Sequence, residues 1–359
     1  MLKPGEWEAI IDNLSSGKTI ICLGPELFVQ GDSTLDEQLR AQLRELDNVS
    51  AYADGLFHFR GAGDMTSYTR IKQFYGRPFP EVEPLLQQLA ALPAPVFICM
   101  TPDTLLKKAF VQQAFSFQYD FHYPNRPARD IQPPTAEEPL LYNLLGDTER
   151  RESMVLTHED LFVFLESVME GKSISRVLKE QINAAYNFIF IGLPFGRWYM
   201  KILVHFLQKD ANRKALKYAA NHAFDEEIQA FMVDQFQIIC VPARIAEFVG
   251  ELHRRCAEAG HLRATALAAP VSTFDKWTRM VMDDQLDELL EDMVAWFSLH
   301  RSQDQDNMGE LFNLNGRFSS LDKMQKRGTI SLADAQLQRN QIRDTILDFL
   351  HDVVKPLQL

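Results

Sequence analysis

The sequence has few cysteines and none of them paired. Cys22, Cys99, Cys240 and Cys256 are spread over 359 residues and form no Cys-x-x-Cys. That excludes a zinc ribbon of the usual spacing, and no zinc is expected. Cys22, Cys99 and Cys240 sit inside apolar runs, where a free thiol acts as a small hydrophobe. Long apolar runs are also lacking. None reaches the ~20 residues that a membrane span requires, and the best stretch, 188–207, is broken by Arg197, Lys201 and His205. The opening MLKPGEWEAI lacks the basic-then-apolar order of a signal peptide, so a cytoplasmic location and no membrane partner are expected. Positive charge is scarce: 37 Lys and Arg stand against 49 Asp and Glu, a net charge of −12. Nucleic acid is set aside as the main partner, because such binding rests on cations that neutralise phosphates. The small basic patch of Lys323, Lys326 and Arg327 reads as a solvated helix face. There is no internal repeat and no low-complexity tract.

Short apolar runs alternate with helical patterns. They fall at Thr19–Leu23, Val96–Met100, Leu140–Leu145, Phe188–Ile191, Ala215–Ala219 and Phe236–Val241. Continuous runs of this length suit strands buried on both faces, and alternation with helices suits a parallel sheet. FSFQYDFHY at 115–123 alternates by twos and predicts a strand near an edge. Two helices, Leu35–Leu46 and Glu81–Leu92, are expected between the first two strands, and a helical insert at 157–185. In that insert Thr157 precedes Asp160 by three, a capping box with Asp in place of Glu. The strand pattern ends by residue 262. A linker rich in small residues, 263–274, contains Pro270, and residues 275–359 read as helical. Met282, Leu286, Leu289, Leu290, Met293 and Phe297 share one helix face. Leu311, Leu314, Phe318 and Leu321 mark a second helix, ended by Gly328, and Ser331 caps a third. The expected fold is therefore α/β, a mostly parallel sheet with helical inserts over 1–262, followed by a small all-α domain.

Strand ends are where an open α/β sheet binds ligands. The first strand runs into CLGPELF, 22–28. Gly24 stands where a turn brings backbone N–H groups to a phosphate, although there is no GxGxxG; with Pro25 fixing φ, a plain tight turn is the alternative. The strand at 188 runs into GLPFGRW, 192–198, a loop that suits either a nucleotide ribose or simple packing.

Four stretches occur in one order: the glycine turn at 22–28, TPDTLLKKAF at 101–110, LLYNLLGDTERRESMVLTHEDLFVFL at 140–165, and FIFIGLPFGRWYMKIL at 188–203. In that order they resemble the bacterial sirtuin-like family, over roughly residues 15–255. The resemblance implies a Rossmann-like NAD-binding fold. Without a four-cysteine ribbon it does not imply a sirtuin-type protein deacetylase; members of this branch hydrolyse NAD and act in phage defence. The family's second strand end carries Thr-Asn-x-Asp, whose Asn binds the nicotinamide ribose. Here Thr101 takes the place of the Asn, and Asp103 matches the Asp. The family's catalytic His lies in Leu-His-Gly, and here the stretch is Leu144-Leu145-Gly146. Leucine cannot exchange a proton, so a degenerate NADase site is expected. Asn143 and His158 lie close by as stand-ins, but a carboxamide is no base, and a His at a helix start more often caps or faces solvent.

The last segment, LFNLNGRFSSLDKMQKRGTISLADAQLQRNQIRDTILDFLHDV at 311–353, resembles effector-associated domain 11. That implies a helical adaptor, residues 275–359, which pairs with effector-associated domains on partner proteins; a plain helical tail is the alternative. Together the resemblances imply an NAD-binding conflict protein that homo-oligomerises. The residues expected at the nucleotide are Gly24, Pro25, Glu26, Thr101, Asp103, Gly192, Phe195 and Gly196, and no catalytic residue is assigned. The rival class is an inactive scaffold that docks partners.

Overall fold

A computed structural model describes residues 2–30, 33–60, 64–124, 131–169, 174–209, 214–221, 224–264, 273–282, 286–300, 305–326 and 329–354. The chain divides into two compact units, Met1–Ala266 and Leu267–Leu359.

The first unit is built on seven strands: β1 (Thr19–Leu23), β2 (Val96–Cys99), β3 (Gln118–Phe121), β4 (Leu140–Asn143), β5 (Asn187–Ile191), β6 (Leu216–Ala220) and β7 (Ile239–Cys240). They form one sheet in the order β7-β6-β5-β1-β2-β4-β3. Every pair is parallel, with Cys22 opposite Ile98 on one side and Phe190 on the other. The side-chain period of two divides each strand between two cores. Ile21, Leu23, Phe97, Cys99, Leu141 and Ile189 join one apolar cluster. Ile20, Cys22, Val96, Ile98, Leu140 and Phe188 join the other. A sheet covered on both faces needs apolar residues at every position, which is why its strands read as unbroken runs. The 115–123 stretch supplies the edge strand β3.

Helices cover both faces: α1 (Pro4–Ser15), α2 (Leu35–Arg44), α3 (Asp64–Gly76), α4 (Glu83–Ala91), α5 (Leu105–Gln112), α6 (His158–Met169), α7 (Arg176–Ala184), α8 (Trp198–Lys209), α9 (Glu226–Phe236) and α10 (Ile245–Glu258). The capping box at 157–160 forms as its spacing implies. The Asp160 N–H donates to Thr157 Oγ1 at 3.1 Å, and the Thr157 N–H to Asp160 Oδ2 at 2.8 Å. Three departures have local causes. The 30–92 stretch holds a third helix, α3, whose buried Ser67, Ile71, Phe74 and Tyr75 give too short and polar a stripe to stand out. The run at 236–241 yields only a two-residue strand, because Phe236 closes α9 and Gln237 turns left-handed at φ 54°. Arg263, read as the first linker residue, is buried in this unit. Its guanidinium donates to the carbonyls of Ala90, Leu92 and Ala94 at 2.8–3.1 Å. Pro270 lies outside the described residues.

The second unit contains α11 (Thr273–Met282), α12 (Leu286–His300), α13 (Gln305–Lys326) and α14 (Leu332–Phe349), which a π-helical turn continues over Leu350–Val354. Met282 and Leu286, expected on one helix, belong to two. The first of these, α11, went unread because it starts inside the small-residue stretch. Trp277, Leu289, Met293, Phe297, Leu311, Phe318, Ile342 and Ile346 build its core. Ser331 caps α14, accepting the Asp334 N–H at 3.1 Å; Gly328 lies outside the described residues. Among the described residues no helix is long and apolar enough to cross a membrane.

Candidate functional site

The chain passes from β1 to β2 on one side, then returns to the other side of β1 as β5. The carboxyl ends of β1 and β5 therefore form the switch point at which a doubly wound sheet opens a crevice. Both expected glycine turns meet there, back to back. The Gly24 N–H donates to the Ile191 carbonyl and the Glu26 N–H to the Gly192 carbonyl, each at 2.9 Å. The Leu27 N–H reaches Gly24 O at 3.1 Å, and the Gly192 N–H reaches Ala220 O at 2.9 Å. A Cβ on Gly24 would lie 2.3 Å from Gly192 O. One on Gly192, whose φ is +66°, would lie 2.2 Å from Leu27 N. The glycines are required by this contact, and the N–H groups that a phosphate would use are bonded within the fold.

The expected site residues separate into two groups on either side of this contact. Gly24, Pro25, Thr101 and Asp103 line a pocket between the ends of β1 and β2, with Tyr75 of α3 against it. Its volume is about 20 Å³, room for roughly one water. The Asp103 carboxylate accepts the Leu105 N–H at 2.8 Å at the start of α5. Burial pushes the Asp103 carboxyl above its usual range. Helix α3 is tied over this end by Tyr68 Oη on Thr148 O (2.8 Å) and Lys108 Nζ on Tyr75 O (3.1 Å). An exposed Lys72–Glu149 ion pair adds a third tie.

Glu26, Phe195 and Gly196 belong to a second space, a recess of about 520 Å³ over the ends of β5 and β6. Gly192 sits between the two groups and lines neither. The recess also takes in Arg40, Asp54, Trp198, Asn221 and Asp225. Arg197 is held by Asp36 and lies 3.4 Å from Tyr199 Oη. Burial raises the Glu26 carboxyl above the ordinary carboxylate range, with Arg197 pulling the other way. Asn221 directly follows β6 and is 6% exposed. Its Nδ2 donates to Leu193 O at 2.6 Å, while its buried Oδ1 has no partner. A buried acceptor left unpaired costs about 1–3 kcal/mol. Sequence reading missed Asn221; the available signal was that it is the polar residue directly following an apolar strand.

Neither catalytic stand-in is placed for proton transfer in the small pocket. Asn143 is buried, and its Nδ2 donates to Asp103 O (2.7 Å) and Tyr119 Oη (3.1 Å). The Tyr119 hydroxyl in turn donates to Asp147 Oδ2 at 2.6 Å. Leu145 is buried in the core, and its carbonyl accepts the Val155 N–H at 3.0 Å. His158 lies elsewhere, with Nε2 2.9 Å from Asp54 Oδ2, the atom that Trp198 Nε1 also reaches, at 3.1 Å. Burial would raise the Asp54 carboxyl, but the hydrogen bonds from Trp198, His158 and the Leu56 N–H outweigh it and hold it low.

Three cysteines, Cys22, Cys99 and Cys256, are buried, Cys240 is half-buried, and all four are free. Among the described residues no group of His, Cys, Asp or Glu is placed to hold a metal ion.

Comparison with known proteins adds a family to each unit. None of the curated proteins compared matches the sequence. Among solved structures, a Sir2 enzyme studied for mechanism and regulation is 12% identical, covering 71% of this chain and 99% of its own, with a TM-score of 0.38. A Sir2 mutant with a p53 peptide and NAD is 15% identical, covering 72% and 99%, with a TM-score of 0.34. Residues 272–353 match effector-associated domain 11, and residues 103–236 match the SIR2-like domain. The chain thus joins a SIR2-like domain, in the sheet unit, to an effector-associated domain 11 in the helical one.

Proposed function

We propose that the sheet unit binds an adenosine-containing ligand, NAD or a fragment of it, in the recess over β5 and β6, and does not hydrolyse NAD. The helical unit recruits a partner that carries an effector-associated domain, and the whole serves a bacterial anti-phage or related conflict system in the cytoplasm. The observation that carries this reading is the division of the strand-end crevice. The β5–β6 side has about 520 Å³ and an unpaired acceptor on Asn221, within the ~300–1,000 Å³ usual for small-molecule sites. The β1–β2 side has about 20 Å³, too little for a nicotinamide ring. Asp103 is engaged there by the Leu105 N–H, and Leu145 is core. NAD would supply a cleavable nicotinamide–ribose bond, but this chain offers that bond too little space at this end. What its residues can do is hold the other end: Asn221 accepts a donor, while Phe195, Phe224 and Trp198 supply apolar surface.

A thermal-shift titration of the full chain tests this. Adenosine should raise Tm and nicotinamide should not. The rise should disappear in Gly196→Val, whose added atoms enter the recess beside Ile228; a Cβ there lies 3.0 Å from Ile228 Cδ1. A rise with nicotinamide that survives Gly196→Val would place the ligand at the other end and overturn the reading.

A further inference from the structure

Helices α6, α7 and α8 cover one face of the sheet and leave a space between them. Phe164 and Val168 of α6, Ile182 of α7, and Leu203 and Leu207 of α8 line it, together with Leu144, which follows β4. A spacing of four within α6 and within α8 puts these residues on one face of each helix. Leu144, Phe164, Ile182, Leu203 and Leu207 also belong to the apolar core on this side of the sheet. The space nevertheless measures about 200 Å³. Protein interiors are close-packed and keep few voids larger than a water molecule. Side chains around an apolar gap lack partner atoms on one side. The volume exceeds the ~150 Å³ of an engineered apolar cavity that holds benzene. It falls below the ~300–1,000 Å³ usual for drug-sized ligands. The space is therefore sized for one short apolar group.

The polar part of the lining comes from one helix. Lys179 and Asn183 stand one turn apart on α7, the first half-buried and the second exposed. Met169, 63% exposed, joins them at the rim. An ammonium and a carboxamide can both donate to an oxyanion. Among the described residues that line the space none is acidic, in a chain whose net charge is −12. An apolar body with a single negative head suits both halves of this lining.

We propose that the space binds a medium-chain aliphatic carboxylate, with its hydrocarbon between α6, α7 and α8 and its carboxylate at Lys179. The site is separate from the recess over β5 and β6, with which it shares no lining residue. Affinity comes mainly from burying methylene groups. The head group stays at the rim, where a half-exposed ion pair adds little energy and fixes the direction of entry.

Calorimetric titration of the full chain with sodium hexanoate, octanoate, decanoate and dodecanoate, all below their micellar range, tests the proposal, with octanol as the neutral control. Each buried CH₂ should strengthen binding about fourfold, the factor that ~0.8 kcal/mol gives, so octanoate should bind roughly tenfold or more tightly than hexanoate. The gain should stop by dodecanoate, once the space is full. Lys179→Met should weaken octanoate severalfold and leave octanol unchanged. Val168→Phe, which adds atoms to open space, should abolish binding without lowering Tm, and Gly196→Val in the other recess should leave it unaltered. No binding of octanoate overturns the proposal. So does affinity that keeps climbing through dodecanoate, because adsorption to an exposed surface has no length limit. Octanol held as tightly as octanoate, or octanoate binding indifferent to Lys179→Met, overturns the carboxylate assignment. Loss of binding in Gly196→Val overturns the location. If Val168→Phe melts early, the chain-length limit and the Lys179→Met comparison decide.

Discussion

Replacing Gly192 by alanine tests whether the two glycine turns are locked together. The native φ of +66° costs an L-residue about 1–2 kcal/mol. The new Cβ would lie 2.2 Å from Leu27 N and 2.4 Å from Leu27 Cα, and neither atom is on a side chain that can swing away. The turn must shift, which strains the Glu26 N–H bond to Gly192 O, worth about 1 kcal/mol. The smaller entropy of an unfolded alanine returns about 0.4–1 kcal/mol. The net loss is about 1–2.5 kcal/mol, or roughly 2–10 °C in Tm for a unit of this size. Gly196→Ala is the control. Its φ is not left-handed, and its Cβ meets only Ile228 Cδ1, at 3.0 Å, so the loss should stay below about 1 kcal/mol. Differential scanning calorimetry of both variants decides the matter. A Gly192→Ala transition within about 1 °C of wild type, or no lower than that of Gly196→Ala, would mean that the turns are not held as described.

Glu26→Gln should stabilise the sheet unit at neutral pH. Burial raises the folded-state pKa of Glu26 above its unfolded value, so this group favours folding most when protonated, and that contribution is lost as pH rises through the folded value. The gain in Tm should therefore vanish below about pH 4, and a gain that persists in acid would contradict the assignment. Arg263→Ala removes the donor for three buried carbonyls and should cost about 2–3 kcal/mol in chemical denaturation; an effect under about 0.5 kcal/mol would mean the guanidinium is not seated there. Burial already draws its pKa down to about 10. A fragment spanning 267–359 should give a helical circular-dichroism spectrum with a cooperative melt, since its core is drawn from its own helices. A random-coil spectrum, alone and with candidate partners, would refute an independent adaptor.

The sheet was legible because its strands are buried on both faces. Ile20 to Leu23 and Phe188 to Ile191 have no polar side to confuse the pattern. Caps were legible for a similar reason: Thr157 with Asp160, and Ser331 with Asp334, are local devices fixed by spacing. Helix α3 was not, because its stripe is short and includes Ser67. At the site, sequence order located the strand ends but could not tell which of them face one another. Gly24 and Gly192 were read as donors to a ligand, and they turn out to be donors within the fold. That depends on β1 and β5 being neighbours, a contact between residues far apart in the chain. The substitutions at Thr101 and Leu145 were visible in sequence. The pocket of about 20 Å³ that Thr101 lines together with Tyr75 was not, because Tyr75 comes from the helix that the pattern missed.

Nicotinamide release from NAD by the full chain tests the central claim most directly. With Leu145 in the core and the β1–β2 pocket holding only about 20 Å³, no more free nicotinamide is expected than in a protein-free control over a prolonged incubation. Repeated turnover by the wild-type chain, abolished by His158→Ala or Asn143→Ala, would contradict it, because the closed end of the crevice would then have to open and carry a base.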